Sequence, residues 1–83
     1  MMNDIELFLY TRAACKACDV VKDNLDAKGL VYHTIDVDID PELKYRYGAR
    51  VPVLVTGDTE ICVGSYNQAA VDRLFAPVNK QFI

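Results

Sequence analysis

Ile5, Leu7 and Leu9 fall on alternate positions with Glu6 and Phe8 between them, and the run closes on Tyr10. A period of two sends successive side chains to opposite faces of a pleated chain, so this stretch predicts a strand. From Ala14 the period changes. Cys18, Val21 and Leu25 share one face of a helix, Lys22, Asp23, Asp26 and Lys28 share the wet one, and Gly29 is placed to end it. Alternation resumes from Val31 to Ile39, which predicts a second strand parallel to the first. A strand, a helix and a strand of these lengths make a right-handed crossover unit.

Asp40 followed by Pro41 marks a helix start, a capping carboxylate and then a proline at the first position, and Leu43 and Tyr47 lie one turn apart before Gly48. Val51 to Val55 is an apolar run interrupted by Pro52; Thr56 to Thr59 carries a Gly-Asp turn, and Glu60 to Val63 returns, which predicts a hairpin. Ser65 and Gln68 match a capping box ahead of a stripe at Val71, Leu74 and Phe75, and Pro77 stops it. Val78 to Ile83 carries no pattern, although Phe82 and Ile83 are candidates for packing back onto the domain. The order is β, α, β, α, β, β, α. Open sheets of this kind bind ligands at the carboxyl ends of their strands, and the first strand-to-helix turn is such a place.

Composition narrows the class. With 83 residues the chain is expected to be one domain, 1–83, and 52% hydrophobic against 25% charged residues is the balance of a chain that folds alone. A net charge of -3 gives no basic footprint for nucleic acid and no attraction to anionic membrane surfaces. The start, MMNDIELFLY, lacks a basic flank, a long apolar core and a small-residue cleavage site, and no run approaches the length of a membrane span. Three cysteines, two of them tightly spaced, differ from the even, dispersed framework of small secreted domains. A soluble, cytoplasmic monomer is the expectation.

The chemistry concentrates in Tyr10 to Cys18, YTRAACKAC. Cys15 and Cys18 are spaced so that a helical turn brings two thiols to nearly one face, close enough for one to resolve a mixed disulfide held on the other. A Cys15 at the helix N-terminus meets unsatisfied backbone N–H groups and the positive end of the helix dipole, both of which favour thiolate. Cys15 is therefore the candidate nucleophile. Arg12 and Lys16 flank it as further positive charge, and Asp19 opposes them. The bland reading of the pair is two small buried hydrophobes, and a zinc site is a further rival. Zinc needs His33 and Cys62 as its remaining ligands, and the predicted sheet sets these on opposite edges. Cys62 reads as a core or edge-strand residue, His33 as a structural histidine, and Tyr10, Tyr47 and Tyr66 as packing residues at element ends. Asp36, Asp38 and Asp40 lack the glycine and distal glutamate of a calcium loop and read as a solvated strand end and a cap.

The chain resembles the thioredoxin superfamily, and within it the small glutaredoxin-like branch. The likeness rests on Cys15-Lys16-Ala17-Cys18 after a strand, Asp36-Val37-Asp38, Tyr47-Gly48-Ala49-Arg50-Val51-Pro52-Val53-Leu54, and Gly64-Ser65-Tyr66-Asn67 before the last helix. It implies an α/β thioredoxin-like fold, a four-stranded mixed sheet flanked by three helices, and thiol-disulfide oxidoreductase activity with Cys15 attacking and Cys18 resolving. It implies a cis Val51-Pro52 bond facing the cysteines. A strand that begins with proline leaves the Val51 backbone free to pair with an extended thiol substrate. Arg12, Lys16, Arg50, Val51, Pro52, Ser65, Tyr66 and Asn67 are the implied substrate-binding residues, with Arg50 toward the glycyl carboxylate of glutathione. No resident cofactor or metal is expected. Glutathione is a possible co-substrate, and the expected partners are glutathione or protein disulfides and a thiol-reducing system. Two stretches depart from the branch: Lys16-Ala17 replace the usual proline and aromatic residue, and Ser65 and Asn67 stand where a second glycine and an acidic residue are usual. A monothiol exchange resolved by glutathione, a non-catalytic binding module and an iron-sulfur carrier remain the alternatives.

Overall fold

The computed structural model describes residues 5–75, so the tail from Val78 to Ile83 and the stop at Pro77 lie outside the described residues. The strands are β1 (Phe8–Thr11), β2 (His33–Asp36), β3 (Val53–Thr56) and β4 (Thr59–Val63), and the helices are α1 (Lys16–Ala27), α2 (Pro41–Tyr47) and α3 (Gln68–Phe75). The sheet runs β2-β1-β3-β4, with β1 parallel to β2, β3 antiparallel to β1, and β4 antiparallel to β3. This is the four-stranded mixed sheet with three helices that the resemblance implied.

Both faces of the sheet are covered, and the sequence shows why. Leu7 and Leu9 of the first strand region, Leu54 of β3 and Ile61 and Cys62 of β4 pack with Val21 and Leu25 of α1 and Val71 of α3. On the opposite face Val53 and Val55 pack with Val37 and with Tyr47 of α2, joined by Tyr10, Leu43 and Val51. Strand β3 is buried on both sides, so it reads as an unbroken apolar run and not as an alternation. Ile61 and Cys62 are neighbours in sequence yet join one cluster, because the β3–β4 register slips between Leu54 and Val55.

The punctuation residues act as their types require. Gly29 (φ 73°) ends α1 in a Schellman motif, its N–H on Asp26 O at 2.9 Å and the Leu30 N–H on Leu25 O at 3.1 Å. The Asp40 carboxylate accepts the Glu42 N–H at 2.8 Å and starts α2, with Pro41 at the first position.

Two expectations are corrected. The strand expected from Val31 to Ile39 is only His33–Asp36; Val31 is 84% and Ile39 75% exposed. The Asp36 carboxylate accepts the Asp38 N–H at 2.9 Å and bends the chain into a 3-10 turn over Val37–Ile39, a local bond that wins over the ladder on a strand with one neighbour. The cap of α3 is Asn67, not Ser65: its Oδ1 accepts the Ala70 N–H at 3.0 Å, and the capping box at Ser65 and Gln68 does not form. Gly64 (φ 81°) turns the chain immediately before, so Ser65 lies in the bend.

The β2 correction has a measurable consequence. Val31→Thr and Ile39→Thr are expected to stay within about 0.5 kcal/mol of the parent, as exposed substitutions do. Val37→Ala should cost about 2 kcal/mol, two buried methyl groups and the space they leave. Urea unfolding of the three variants reads the difference.

Candidate redox site

The sheet register gathers one end of the molecule. Tyr10 is opposite Val53, Thr11 is beside Asp36, and Val53 is opposite Val63. The chain leaving β1, the turn after β2, the entry to β3 and the exit of β4 therefore share that end, which carries Arg12 to Cys18, Asp38, Pro52 and Gly64. No helix among the described residues is long and apolar enough to cross a membrane.

Cys15 and Cys18 are joined by a disulfide, with their Cα atoms 5.2 Å apart. Cys15 is the N-cap of α1: its backbone is extended (φ -107°, ψ 104°), and its Sγ accepts the Cys18 N–H at 3.1 Å. The sulfur thus fills the place of a capping oxygen. Cys18 is 1% exposed whereas Cys15 is only half-buried, so of the two cysteines Cys15 is the one that solvent reaches. A reduced Cys15 at this position lies at the positive end of the helix, where thiolate is favoured. Ala14, directly before it, holds φ at 56°, the one non-glycine residue with positive φ among those described, a conformation that costs about 1–2 kcal/mol. Lys16 is exposed at the first helical position and makes no ion pair among the described residues. Asp19 faces Lys22 at 3.9 Å.

Arg12 does not stand free beside the cysteines. Its Nε donates to Asp38 Oδ2 at 3.2 Å, its Nη2 lies 3.0 Å from Asp38 Oδ1, and its Nη1 donates to Gly48 O at 3.3 Å. Arg50 is engaged as well. Its Nη1 and Nη2 donate to the two Glu60 carboxylate oxygens at 2.9 and 3.1 Å, Nη2 also reaches Arg46 O at 3.3 Å, and the guanidinium sits 5.6 Å from the Tyr47 ring centroid. The hydrogen bond from Arg50 holds the Glu60 carboxyl below its usual value of 4.5. The Tyr47 ring stacks on Tyr10 at 4.1 Å, and burial, with Tyr47 beside it, pushes the Tyr10 hydroxyl up, so Tyr10 is no acid at neutral pH.

The Val51-Pro52 bond is cis. Pro52 is buried, and its carbonyl accepts the Gly64 N–H at 2.8 Å, which ties the entry of β3 to the exit of β4. Among the described residues no backbone hydrogen bond uses the N–H or C=O of Val51. That is the unpaired edge expected of a strand opening on proline.

At the third corner Ser65 is exposed and Asn67 is taken up by capping α3. The Asn67 N–H also donates to Cys62 Sγ at 3.3 Å; burial pushes the Cys62 thiol up and this bond pulls the other way. Tyr66 turns inward: it packs against the cluster of α1, α3 and the sheet, and its buried hydroxyl has no partner among the described residues. His33, stacked on Phe8, and Cys62 lie on the opposite edge strands β2 and β4, and no group of three His, Cys, Asp or Glu among the described residues is placed to hold a metal.

Sequence reasoning thus located the cysteines and the proline. It missed Asp38, Glu60 and the Gly48 carbonyl, which occupy both arginines. Asp38 carried a signal, since a parallel β2 beside β1 brings the two strand exits together. Glu60 carried none, because Arg50 lies outside the hairpin whose register places Glu60.

An α/β fold with a Cys-x-x-Cys pair at its first strand-to-helix turn and a cis proline at the same sheet end defines a thioredoxin-superfamily protein of the glutaredoxin-like kind. The chain belongs to the glutaredoxin-like domain family (DUF836), whose model matches residues 6–78. It is 38% identical over 72 residues to the Gene 56 protein of Mycobacterium phage L5, spanning 80% of this chain and 68% of that one. Its structure is similar to that of a protein from X. campestris, at 29% identity and TM-score 0.72 over 86% of this chain and 99% of the other. It is also similar to NrdH-redoxin from Escherichia coli, a glutaredoxin-like protein with a thioredoxin-like activity profile, at 26% identity and TM-score 0.68 over 83% and 93% of the two chains.

Two outcomes follow from this geometry. Because the folded-state pKa of Glu60 is depressed, its ion pair stabilises the fold above the ordinary carboxyl value of 4.5 and loses that contribution as pH falls through the lower folded value. Glu60→Gln should therefore unfold at a lower temperature than the parent at pH 6, with the gap closing as the pH is lowered below 4.5. Tyr66→Phe removes a buried hydroxyl without a partner and should be neutral or stabilising by up to about 1 kcal/mol, read by urea unfolding.

Proposed function

We propose that this chain is a thiol-disulfide oxidoreductase that reduces disulfides in extended segments of other proteins. The observation that carries the reading is the half-buried Cys15, whose sulfur caps α1 and is bonded to that of the buried Cys18. In the reduced chain the Cys15 thiolate attacks one sulfur of a substrate disulfide. A Cys15–substrate bond forms, the substrate S–S bond breaks, and the second substrate sulfur leaves as a thiolate that takes a proton. Cys18, losing its proton, then attacks Cys15 Sγ. The Cys15–Cys18 bond forms and the first substrate sulfur departs as a thiol. Two electrons have passed to the substrate, and a dithiol or a pair of glutathione thiols returns them.

Three features favour a protein disulfide over glutathione. The Val51 backbone is unpaired and suits an extended chain. Arg50, the cation expected to meet the glycyl carboxylate of glutathione, is already held by Glu60, and Arg12, expected beside the cysteines, by Asp38. Asn67 already covers an amide of the α3 N-terminus. The thioredoxin-like profile of NrdH-redoxin, a similar structure, points the same way.

The test compares reduction of insulin, with a dithiol supply, against reduction of a glutathione mixed disulfide, with glutathione supply. The native chain should turn over insulin faster. Cys15→Ser should fall to the uncatalysed rate, and Cys18→Ser should accumulate a covalent adduct on Cys15 visible as a mass increase of one substrate. Turnover by Cys15→Ser, or none by the native chain on either substrate, would overturn the reading.

A further inference from the structure

We propose that Arg12 is a positioning residue: it sets the spacing between the Cys15 loop and the chain leading into Val51, and through that spacing selects extended substrates. The inference rests on the function just proposed and assigns a role to a residue that touches neither sulfur.

A guanidinium is a planar, rigid fork, and this one is engaged on two sides. Nε and Nη2 meet the two oxygens of Asp38 in a paired arrangement, while Nη1 meets the Gly48 carbonyl. These partners lie 26 and 36 positions further along the chain. Asp38 belongs to the 3-10 turn after β2, and Gly48 closes α2, three residues before Val51. One side chain, rooted three residues before Cys15, therefore joins the cysteine loop to both segments that lead toward the docking edge. The Arg50 N–H on Tyr47 O, at 2.8 Å, and the Gly64 N–H on Pro52 O hold the far side of the same segment. Arg12 is the tie on the near side.

The other roles open to such an arginine fit less well. Its charge is matched by Asp38, which leaves little field for the Cys15 sulfur. The donors that would clamp a substrate carboxylate already clamp Asp38.

A brace makes a distinctive demand. An extended disulfide substrate must engage two points at once, its sulfur at Cys15 and its backbone at Val51, so it senses the distance between them. A small disulfide engages only the sulfur and does not.

The experiment uses the full chain with Arg12→Met, Arg12→Lys, Asp38→Ala and the Arg12→Met/Asp38→Ala double variant, each checked for folding by circular dichroism. The substrates are a disulfide-bonded linear peptide and bis(2-hydroxyethyl) disulfide. All four variants should lose roughly tenfold or more in kcat/KM on the peptide, a loss of the order that misplacing a contact brings and seen mainly in KM, with the small disulfide unaffected. Arg12→Lys keeps the charge but not the fork and should group with Arg12→Met. The double variant should be no worse than either single, since both break one tie. An Asp38→Ala variant at or above the native peptide rate would overturn the proposal, because a freed Arg12 acting by charge or direct contact gives that result. Equal loss on both substrates would overturn it too, as the mark of general structural damage. If the native chain reduces neither substrate, the proposed function fails, and amide hydrogen exchange decides the brace alone. Faster exchange of the Arg50 amide, which donates to Tyr47 O, in Arg12→Met supports it, and unchanged exchange there overturns it.

Discussion

The amide of Cys18 donating to the sulfur of Cys15 is the contact around which the site is built. It satisfies one of the orphan donors of α1, and it does so with the atom proposed to carry the chemistry. Sulfur is a modest acceptor when neutral or bonded, but a thiolate in the same position accepts the same amide with a full charge, and charge-assisted bonds are the stronger kind. The start of the helix and the reactivity of the cysteine are one arrangement. The sheet supplies what surrounds it: β1 is central, with β2 parallel on one side and β3 antiparallel on the other, so its exit meets the exit of β2 and the entry of β3.

The electrostatics around that contact are more balanced than the count of nearby cations indicates. Arg12 and Arg50 each hold a carboxylate in paired geometry and each give a further donor to a carbonyl at or just before the end of α2. Partly exposed ion pairs of this kind stabilise little. Their contribution is geometric. The backbone between Arg46 and Val51 has few of its own hydrogen bonds to fix it, and two guanidinium groups take up carbonyls that α2 leaves open. Lys16 remains as the exposed cation at the first turn of α1, where it adds to a field that the helix already provides.

Most of the fold was legible because local and global signals agreed. Asp40-Pro41, Gly29 and the Gly57-Asp58 turn each have one economical conformation, and each adopts it; Gly57 (φ 57°) is positive at the first central position of the hairpin, as a Gly-led turn requires. The failures came where two signals competed. Between Val31 and Ile39 the alternation is real, but Asp36 finds a partner two residues on and the strand stops. Ahead of α3, Ser65 and Asn67 are both competent caps, and only the turn at Gly64 decides between them. The cysteines were singled out by their spacing and Pro52 through the resemblance, and the structure sets them at one end of the sheet. The carboxylate partners of the arginines were not legible, because side-chain pairing across 26 or 10 residues leaves no local trace.

The third cysteine gives the molecule an internal silence. Cys62 is 1% exposed, its sulfur is occupied by the Asn67 amide, and burial keeps it protonated. Only thiolates react readily with alkylating reagents. A reagent added to the folded chain is therefore blind to Cys62, and with Cys18 as deeply buried the equivalent consumed counts Cys15 alone, so the chain reports its own oxidation without an added label.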